Sequence, residues 1–236
     1  VAAVLADNCA SAERDGARLF DKPPVYRGGV QKIFQRAETS TFFGREIGLM
    51  YTHAHLRFAE AMARHGDAEA FWLAIRKAVP IGLRDVVSGA RLRQSNCYTS
   101  SSDPAFPDRY EAQERYREVY DGTIPFEGGW RVYSSGAGIA FRLIHERLFG
   151  LRRARSFVVI DPVLPRGLDG LALETELAGR PVRVEYAVGA RGAGPSSLTL
   201  NGADLPFARE ANAYRSGGAI VATDVLRERL AASGNV

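Results

Sequence analysis

The apolar residues of this chain change period once, and that single change limits the folds open to it. Before about Arg155 they recur at three- and four-residue steps, as helices that bury one face require. After it they alternate or run in short β-branched stretches, separated by turns such as Ala178-Gly-Arg-Pro181 and Arg191-Gly-Ala-Gly-Pro195. A chain patterned in this way is of the α+β kind, helices first and a small antiparallel β domain second. The boundary is placed near residue 154, giving a helical part at 1–154 and a β part at 155–236. With 236 residues and 46% hydrophobic content, the chain is long enough to bury a core in each.

Within the helical part, Phe43, Ile47, Met50, Tyr51, Ala54, Phe58, Ala61 and Met62 predict an amphipathic helix over Thr41–Arg64. A second is predicted over Asp67–Val79, burying Phe71, Leu73, Ala74, Ile75 and Ala78 and ended by Pro80, with His65-Gly66 as the connection. Gln94–Arg109 contains Asn-Cys-Tyr-Thr-Ser-Ser-Ser-Asp-Pro and reads as a long loop. Helices are predicted again over Ala112–Tyr120 and Gly136–Leu151, the latter stopped by Gly150. Strands are predicted over Phe157–Ile160, Leu171–Leu177, Val182–Val188, Ser196–Leu200 and Ala219–Thr223, with Asp224 as cap of a last helical turn through Leu230.

The formal charge is +4, and Lys and Arg are interleaved with Asp and Glu. Nucleic acids and anionic membrane surfaces select concentrated basic stripes, so neither is an expected partner. The two cysteines, Cys9 and Cys97, have no metal-type spacing and read as free thiols of a reducing compartment. No apolar run reaches the roughly 18 residues of a membrane span, and no basic segment precedes an apolar one at the N-terminus. The cytoplasm is the expected location. The chain opens on Val1 without Met and reads as the interior of something longer.

Two segments carry chemistry. In Met50-Tyr-Thr-His-Ala-His55 the two histidines are two apart, so on a helix they point about 200° apart and cannot share one ligand. At most one faces a given site, and a histidine satisfied against the core is the alternative for either. His145 falls on a charged helix face and His65 beside a turn, where neither needs a ligand. In Tyr133-Ser-Ser-Gly-Ala-Gly138 hydroxyls and glycines precede a helix, whose unpaired amides and dipole favour an anion such as phosphate. An ordinary serine N-cap fits the same letters.

Together with Ile160-Asp-Pro-Val-Leu-Pro165 and Leu168-Asp-Gly170, these segments resemble, in order and over most of the chain, the C-terminal third of glycoside hydrolase family 94, whose members are sugar phosphorylases. Tyr51-Thr-His-Ala-His55 is similar to the family's Phe-Cys-His-Ala-Asn context, so the resemblance gives His53 the place of the phosphate-contacting histidine, while His55 departs from the usual Asn. Ser134-Ser-Gly-Ala-Gly138 is similar to the phosphate loop Thr-Gly-Thr-Ala-Gly, which implies phosphate contacts from the Ser134 hydroxyl and from the amides around Ser135 and Gly136. Arg45 stands where members carry a Lys facing the leaving-group sugar. Arg36, with Lys32 as competitor, stands where members acting on neutral disaccharides carry a Glu. A guanidinium there favours an anionic acceptor, because it holds a carboxylate through two parallel hydrogen bonds; cellobionic acid is the expected example.

The resemblance implies the last helices of an (α/α)6 barrel followed by a small β domain, and an inverting β-glucoside phosphorylase that makes α-glucose 1-phosphate. Its general acid is an Asp in a Trp/Asp/Asn/Gly-rich context that does not occur between Val1 and Val236. That residue is expected from an N-terminal portion of the same polypeptide. No catalytic residue is therefore assigned here, Asp21, Asp103, Asp108 and Glu127 being read as binding or structural groups. No metal or organic cofactor is implied, phosphate being a co-substrate; the partners are a small carbohydrate and a second copy of the chain in a homodimer. The phosphorylase-like region of a cyclic β-1,2-glucan synthase and a non-catalytic carbohydrate-binding module are the rival readings.

Overall fold

The computed structural model describes residues 50–79, 81–86, 101–107, 109–115, 118, 122–128 and 134–236. Cys9, Asp21, Lys32, Arg36, Arg45, Pro80, Cys97 and Asp108 lie outside the described residues. The chain divides into two compact units, Val1–Phe58 with Leu73–Ala140, and Ala59–Trp72 with Phe141–Val236.

Strand β1 (Met50–Tyr51), in the first unit, leads directly into α1 (Thr52–His65), whose residues from Ala59 on belong to the second unit. Met50 and Tyr51, expected inside the predicted helix, are strand, while 41–49 lie outside the described residues, and the buried stripe differs from the one predicted. Thr52, His55, Leu56, Ala59, Met62 and Ala63 are buried, whereas Ala54 is exposed. The physical reason is His55: its ring is fully buried and Nε2 donates to the Ala74 carbonyl at 2.7 Å, which turns that face of the helix inward. Helix α2 (Ala68–Ala78) buries Phe71, Ala74, Ile75 and Ala78 as predicted. Asp67 is its N-cap, its Oδ1 accepting from the Ala70 amide at 3.0 Å.

The predicted Gln94–Arg109 loop is corrected in part. Ser101–Pro104 forms β2, the centre of a three-stranded antiparallel sheet in the order β1-β2-β3, with β3 at Phe126–Gly128. Strands this short offer too few residues for a period to show. The register aligns Met50, Ser102 and Gly128 across the sheet. Helix α3 occupies Arg109–Arg115, starting three residues ahead of the predicted Ala112, and most of the predicted stretch beyond Arg115 to Tyr120 lies outside the described residues. Helix α4 runs over Ser134–Leu143, two residues ahead of the predicted start at Gly136, and continues as a π-helical turn, Ile144–Leu148. In that turn the Phe149 amide reaches the Ile144 carbonyl at 2.9 Å.

In the second unit Gly150 stops the helix, at φ +72°. Leu151 is no longer helical, as the prediction had it, because it opens β4 (Leu151–Arg153) and pairs with Ile160 of β5 (Phe157–Ile160). A four-stranded antiparallel sheet follows in the order β10-β11-β5-β4, with β10 at Ala208–Arg209 and β11 at Ala219–Ala222. Two hairpins lie beside it, β6 (Ala172–Leu177) with β7 (Arg180–Glu185), and β8 (Thr199–Leu200) with β9 (Ala203–Asp204). Both turn through two residues at positive φ, Ala178-Gly179 and Asn201-Gly202, the geometry that matches strand twist. Helix α5 (Thr223–Arg229) is capped at Ala222 and not by Asp224, which sits in its first turn and pairs with Arg227. Leu151, Val158, Ile160, Leu177, Val182, Leu200, Leu205, Val221, Leu226 and Leu230 form the core. Asn235, also buried, ties the last residues to the Pro181 carbonyl at 2.9 Å and to Asn201 at 3.1 Å. Helices with small antiparallel sheets, one of them interleaved with the helices and the rest after Gly150, are thus the observed architecture, and among the described residues no helix is long and apolar enough to cross a membrane.

Candidate functional site

His53 is the second residue of α1, half-buried, and follows β1 without a loop. Ser134, Ser135 and Gly136 are the first turn of α4, the part of a helix whose amides have no intrahelical acceptor, and Gly136 is buried. Both segments belong to the first unit. The strands that precede them in the chain belong to one sheet. β1 and β3 each pair antiparallel with β2, so they run parallel to one another and leave the sheet at the same end, beside Ser101. Met50 and Gly128 share one row, about 10 Å apart across two strand spacings. The chain leaving β1 enters the helix of His53, and the chain leaving β3 continues to the helix of Ser134.

The two histidines of the motif divide as helical geometry requires. His55 is the core histidine, bonded to Ala74, and is withdrawn from ligand chemistry. His145 is exposed on the π turn between Phe141 and Phe149, with ring centroids at 4.7 and 6.0 Å. The arginines and lysine expected to face the leaving sugar, Arg36, Arg45 and Lys32, lie outside the described residues. Sequence reasoning missed the Ser101–Ser102 backbone at the end of the sheet from which both motifs depart. The run of serines was the available signal, and it reads as loop.

The second unit carries a different constellation. Asp161 is buried and binds Arg215 through both oxygens, at 2.8 and 2.9 Å. Arg152 lies 3.8 Å from the same carboxylate and donates to Glu210, whose carboxyl it holds below its ordinary value. Glu60 binds Arg142 at 2.9 Å and lies 3.9 Å from Arg147. Burial, with Arg152 close by, pushes the Arg147 guanidinium down. These ion pairs form two groups, Arg142 and Arg147 with Glu60 and Glu146, and Arg152 and Arg215 with Asp161 and Glu210. A cavity of about 960 Å³ in this unit is lined mainly by aliphatic side chains, including Leu177, Val182, Leu198 and Leu205, and holds none of the predicted site residues. Two of its polar members are engaged: the Tyr186 hydroxyl donates to the Phe149 carbonyl at 2.8 Å, and Arg209 donates to the Pro195 and Gly217 carbonyls.

Residues 150–236 match the glycoside phosphorylase C-terminal domain, and the resemblance to the C-terminal portion of glycoside hydrolase family 94 is borne out. Among individual proteins, the chain is 44% identical over 207 residues to a 1,2-β-oligoglucan phosphorylase of Listeria innocua serovar 6a (strain ATCC BAA-680 / CLIP 11262), covering 88% of this chain and 19% of that protein. It is 27% identical over 144 residues to the cyclic β-(1,2)-glucan synthase NdvB of Rhizobium meliloti (strain 1021), covering 61% of this chain and 5% of that one. The chain therefore spans less than a fifth of the length of either relative.

Proposed function

We propose that this chain is part of an inverting β-glucoside phosphorylase that cleaves a β-linked glucose oligomer with inorganic phosphate and releases α-glucose 1-phosphate. The observation that supports the reading is that β1, which leads directly into the His53 helix, and β3, the last strand before the Ser134 helix in the chain, end at the same edge of one sheet. In this reading His53, the Ser134 hydroxyl and the amides of Ser135 and Gly136 hold phosphate, whose negative charge the helix dipole of α4 favours. A phosphate oxygen attacks the anomeric carbon from the face opposite the leaving sugar, taking the place of the activated water of an inverting hydrolase. The glycosidic bond breaks, and an Asp from an N-terminal portion of the polypeptide gives its proton to the departing oxygen. The described helices then belong to the end of an (α/α)6 barrel, in a cytoplasmic homodimer.

The name of the 44% identical relative supports a β-1,2-oligoglucan as substrate. The competing acceptor, an aldonic acid such as cellobionic acid, rests on Arg36, Arg45 and Lys32. The full-length enzyme assayed for sugar 1-phosphate release from β-1,2-oligoglucans, cellobiose and cellobionic acid separates these. Preference for β-1,2-oligoglucans is expected, and preference for cellobionic acid overturns that substrate assignment. The phosphate site is tested by His53→Ala. Loss of a hydrogen bond to a charged ligand, about 1.5–3 kcal/mol, raises the phosphate KM by about tenfold to a hundredfold with little change in melting temperature. An unchanged phosphate KM removes His53 from the site. The similarity to the cyclic glucan synthase supports a second reading, as the phosphorylase-like region of such a synthase. Membrane-spanning segments elsewhere in the full polypeptide would decide for it.

A further inference from the structure

We propose that Tyr214 and His65 form a saccharide-binding platform, made of residues other than those read as the phosphate site, that takes one glucose ring of a β-linked oligomer. The kind of sugar rests on the substrate class proposed above. Both residues, and every group that holds them, belong to the second unit. Tyr214 is 58% exposed, and its ring lies beside that of His65, with centroids 6.2 Å apart and planes at 35°. A large ring left in water adds little to folding, so burial does not account for its place. Neither the Tyr214 hydroxyl nor a ring nitrogen of His65 has a hydrogen-bond partner among the described residues. The backbone beneath the tyrosine, by contrast, is fixed from both sides. Ahead of it, Asn212 Oδ1 accepts from the Tyr214 amide at 2.8 Å, while Asn212 Nδ2 donates to the Arg64 carbonyl at 3.3 Å. Behind it, the Arg215 guanidinium donates to both oxygens of buried Asp161, to the Ser216 carbonyl at 2.9 Å and to the Ala63 carbonyl at 3.3 Å. Glycines give this turn its room. A Cβ at Gly66 would stand 2.6 Å from Arg215 Cδ, one at Gly194 2.5 Å from the Ser216 carbonyl oxygen, and one at Gly217 2.0 Å from the Glu210 carbonyl oxygen.

A turn held at so many points presents its exposed ring in one place, and a ring already fixed loses little freedom when a ligand settles on it. The chemistry suits a sugar. The faces of a β-glucose ring carry C–H bonds, whose partial positive charge meets the negative face of an aromatic ring. Its hydroxyls point outward around the edge and need both donors and acceptors there, which a phenol hydroxyl and an imidazole supply. Aromatic surface with a few placed polar groups is the general make-up of a small-ligand site. The platform holds the oligomer and takes no part in breaking it.

The test uses the full-length enzyme in phosphate-free buffer with a β-1,2-linked glucose hexamer as probe. Exposed tyrosines are nitrated with tetranitromethane, and the extent at Tyr214 is read by peptide mass spectrometry as the hexamer is raised. The hexamer should slow nitration of Tyr214 in a saturable way, and inorganic phosphate alone should not. In His65→Ala the hexamer concentration for half-protection should rise about three- to tenfold, as loss of a ring contact and one hydrogen bond would give. Nitration of Tyr214 that the hexamer leaves unchanged overturns the platform, as does a Tyr214 that resists nitration without any sugar, since another part of the polypeptide then covers it. An unchanged half-protection concentration in His65→Ala overturns the pairing of the two rings. Release of sugar 1-phosphate from the same hexamer, measured separately with phosphate present, keeps the two readings apart: release without protection rejects the platform alone, and protection without release rejects the phosphorylase reading and supports the platform.

Discussion

Gly150 joins helix to sheet, and replacing it by alanine tests the packing logic of that junction. Its φ of +72° is a conformation that costs an L-residue about 1–2 kcal/mol. Its carbonyl accepts from the Asp161 amide at 2.8 Å, which fixes the backbone in that conformation. A Cβ added here would lie 2.1 Å from Pro162 N, 2.3 Å from the Asp161 carbonyl carbon and 2.5 Å from Pro162 Cα. All three are backbone atoms following a central strand, so they cannot rotate away as a side chain would, and overpacking adds about 1–3 kcal/mol. The sum, about 2–5 kcal/mol, is a large share of the about 5–15 kcal/mol of a typical domain. Gly170→Ala is the control, because its φ of +79° imposes the same backbone cost while no neighbouring atom lies within 4 Å. Urea unfolding followed by circular dichroism should show Gly150→Ala losing clearly more stability than Gly170→Ala, at an unchanged slope. Equal losses would refute the steric part of the reasoning. A loss below about 0.5 kcal/mol at Gly150 would refute both parts.

Two further outcomes follow from buried and paired side chains. His55→Leu removes the bond to Ala74 and should cost about 1–3 kcal/mol in urea unfolding while leaving the phosphate KM of the full enzyme at its wild-type value; a KM rise like that of His53→Ala would return His55 to the ligand site. Glu210 is held below its ordinary carboxyl value of 4.5 by its hydrogen bond to Arg152, so its contribution is present above about pH 4.5 and fades as pH falls through the lower folded value. Glu210→Gln should therefore be less stable than the parent at pH 7 by more than it is at about pH 3, and a gap that is equal at both pH values contradicts the pairing.

The change of period near Arg155 told helices from strands, and the stripe Phe71, Ala74, Ile75 and Ala78 of α2 was readable because consecutive turns repeat it. The Asn201-Gly202 dipeptide marks its hairpin by conformational preference alone. Three features escaped a reading along the chain. The face of α1 was misjudged because a polar ring, His55, is buried there through a partner 19 residues away. The sheet of β1, β2 and β3 joins strands of two to four residues whose pairing is non-local, and hydrophobic alternation needs more residues than that to show. The linkage of Asp161 to Arg215 spans 54 residues and leaves no local trace. For the site, sequence separated His53 from His55 only as alternatives; burial of one ring decided which is structural.

The π turn at Ile144–Leu148 also limits how this chain can be edited. Such a turn is the geometric equivalent of one residue inserted into an α-helix. Deleting a residue there would restore ordinary winding, yet everything downstream would swing by about 100° about the helix axis, since each residue advances that far. The bond of Glu60 to Arg142, ahead of the turn, and that of Ala63 to Arg215, beyond it, could then not both be kept. The surplus residue keeps both bonds in phase, and any shortening of the chain at this joint must keep it.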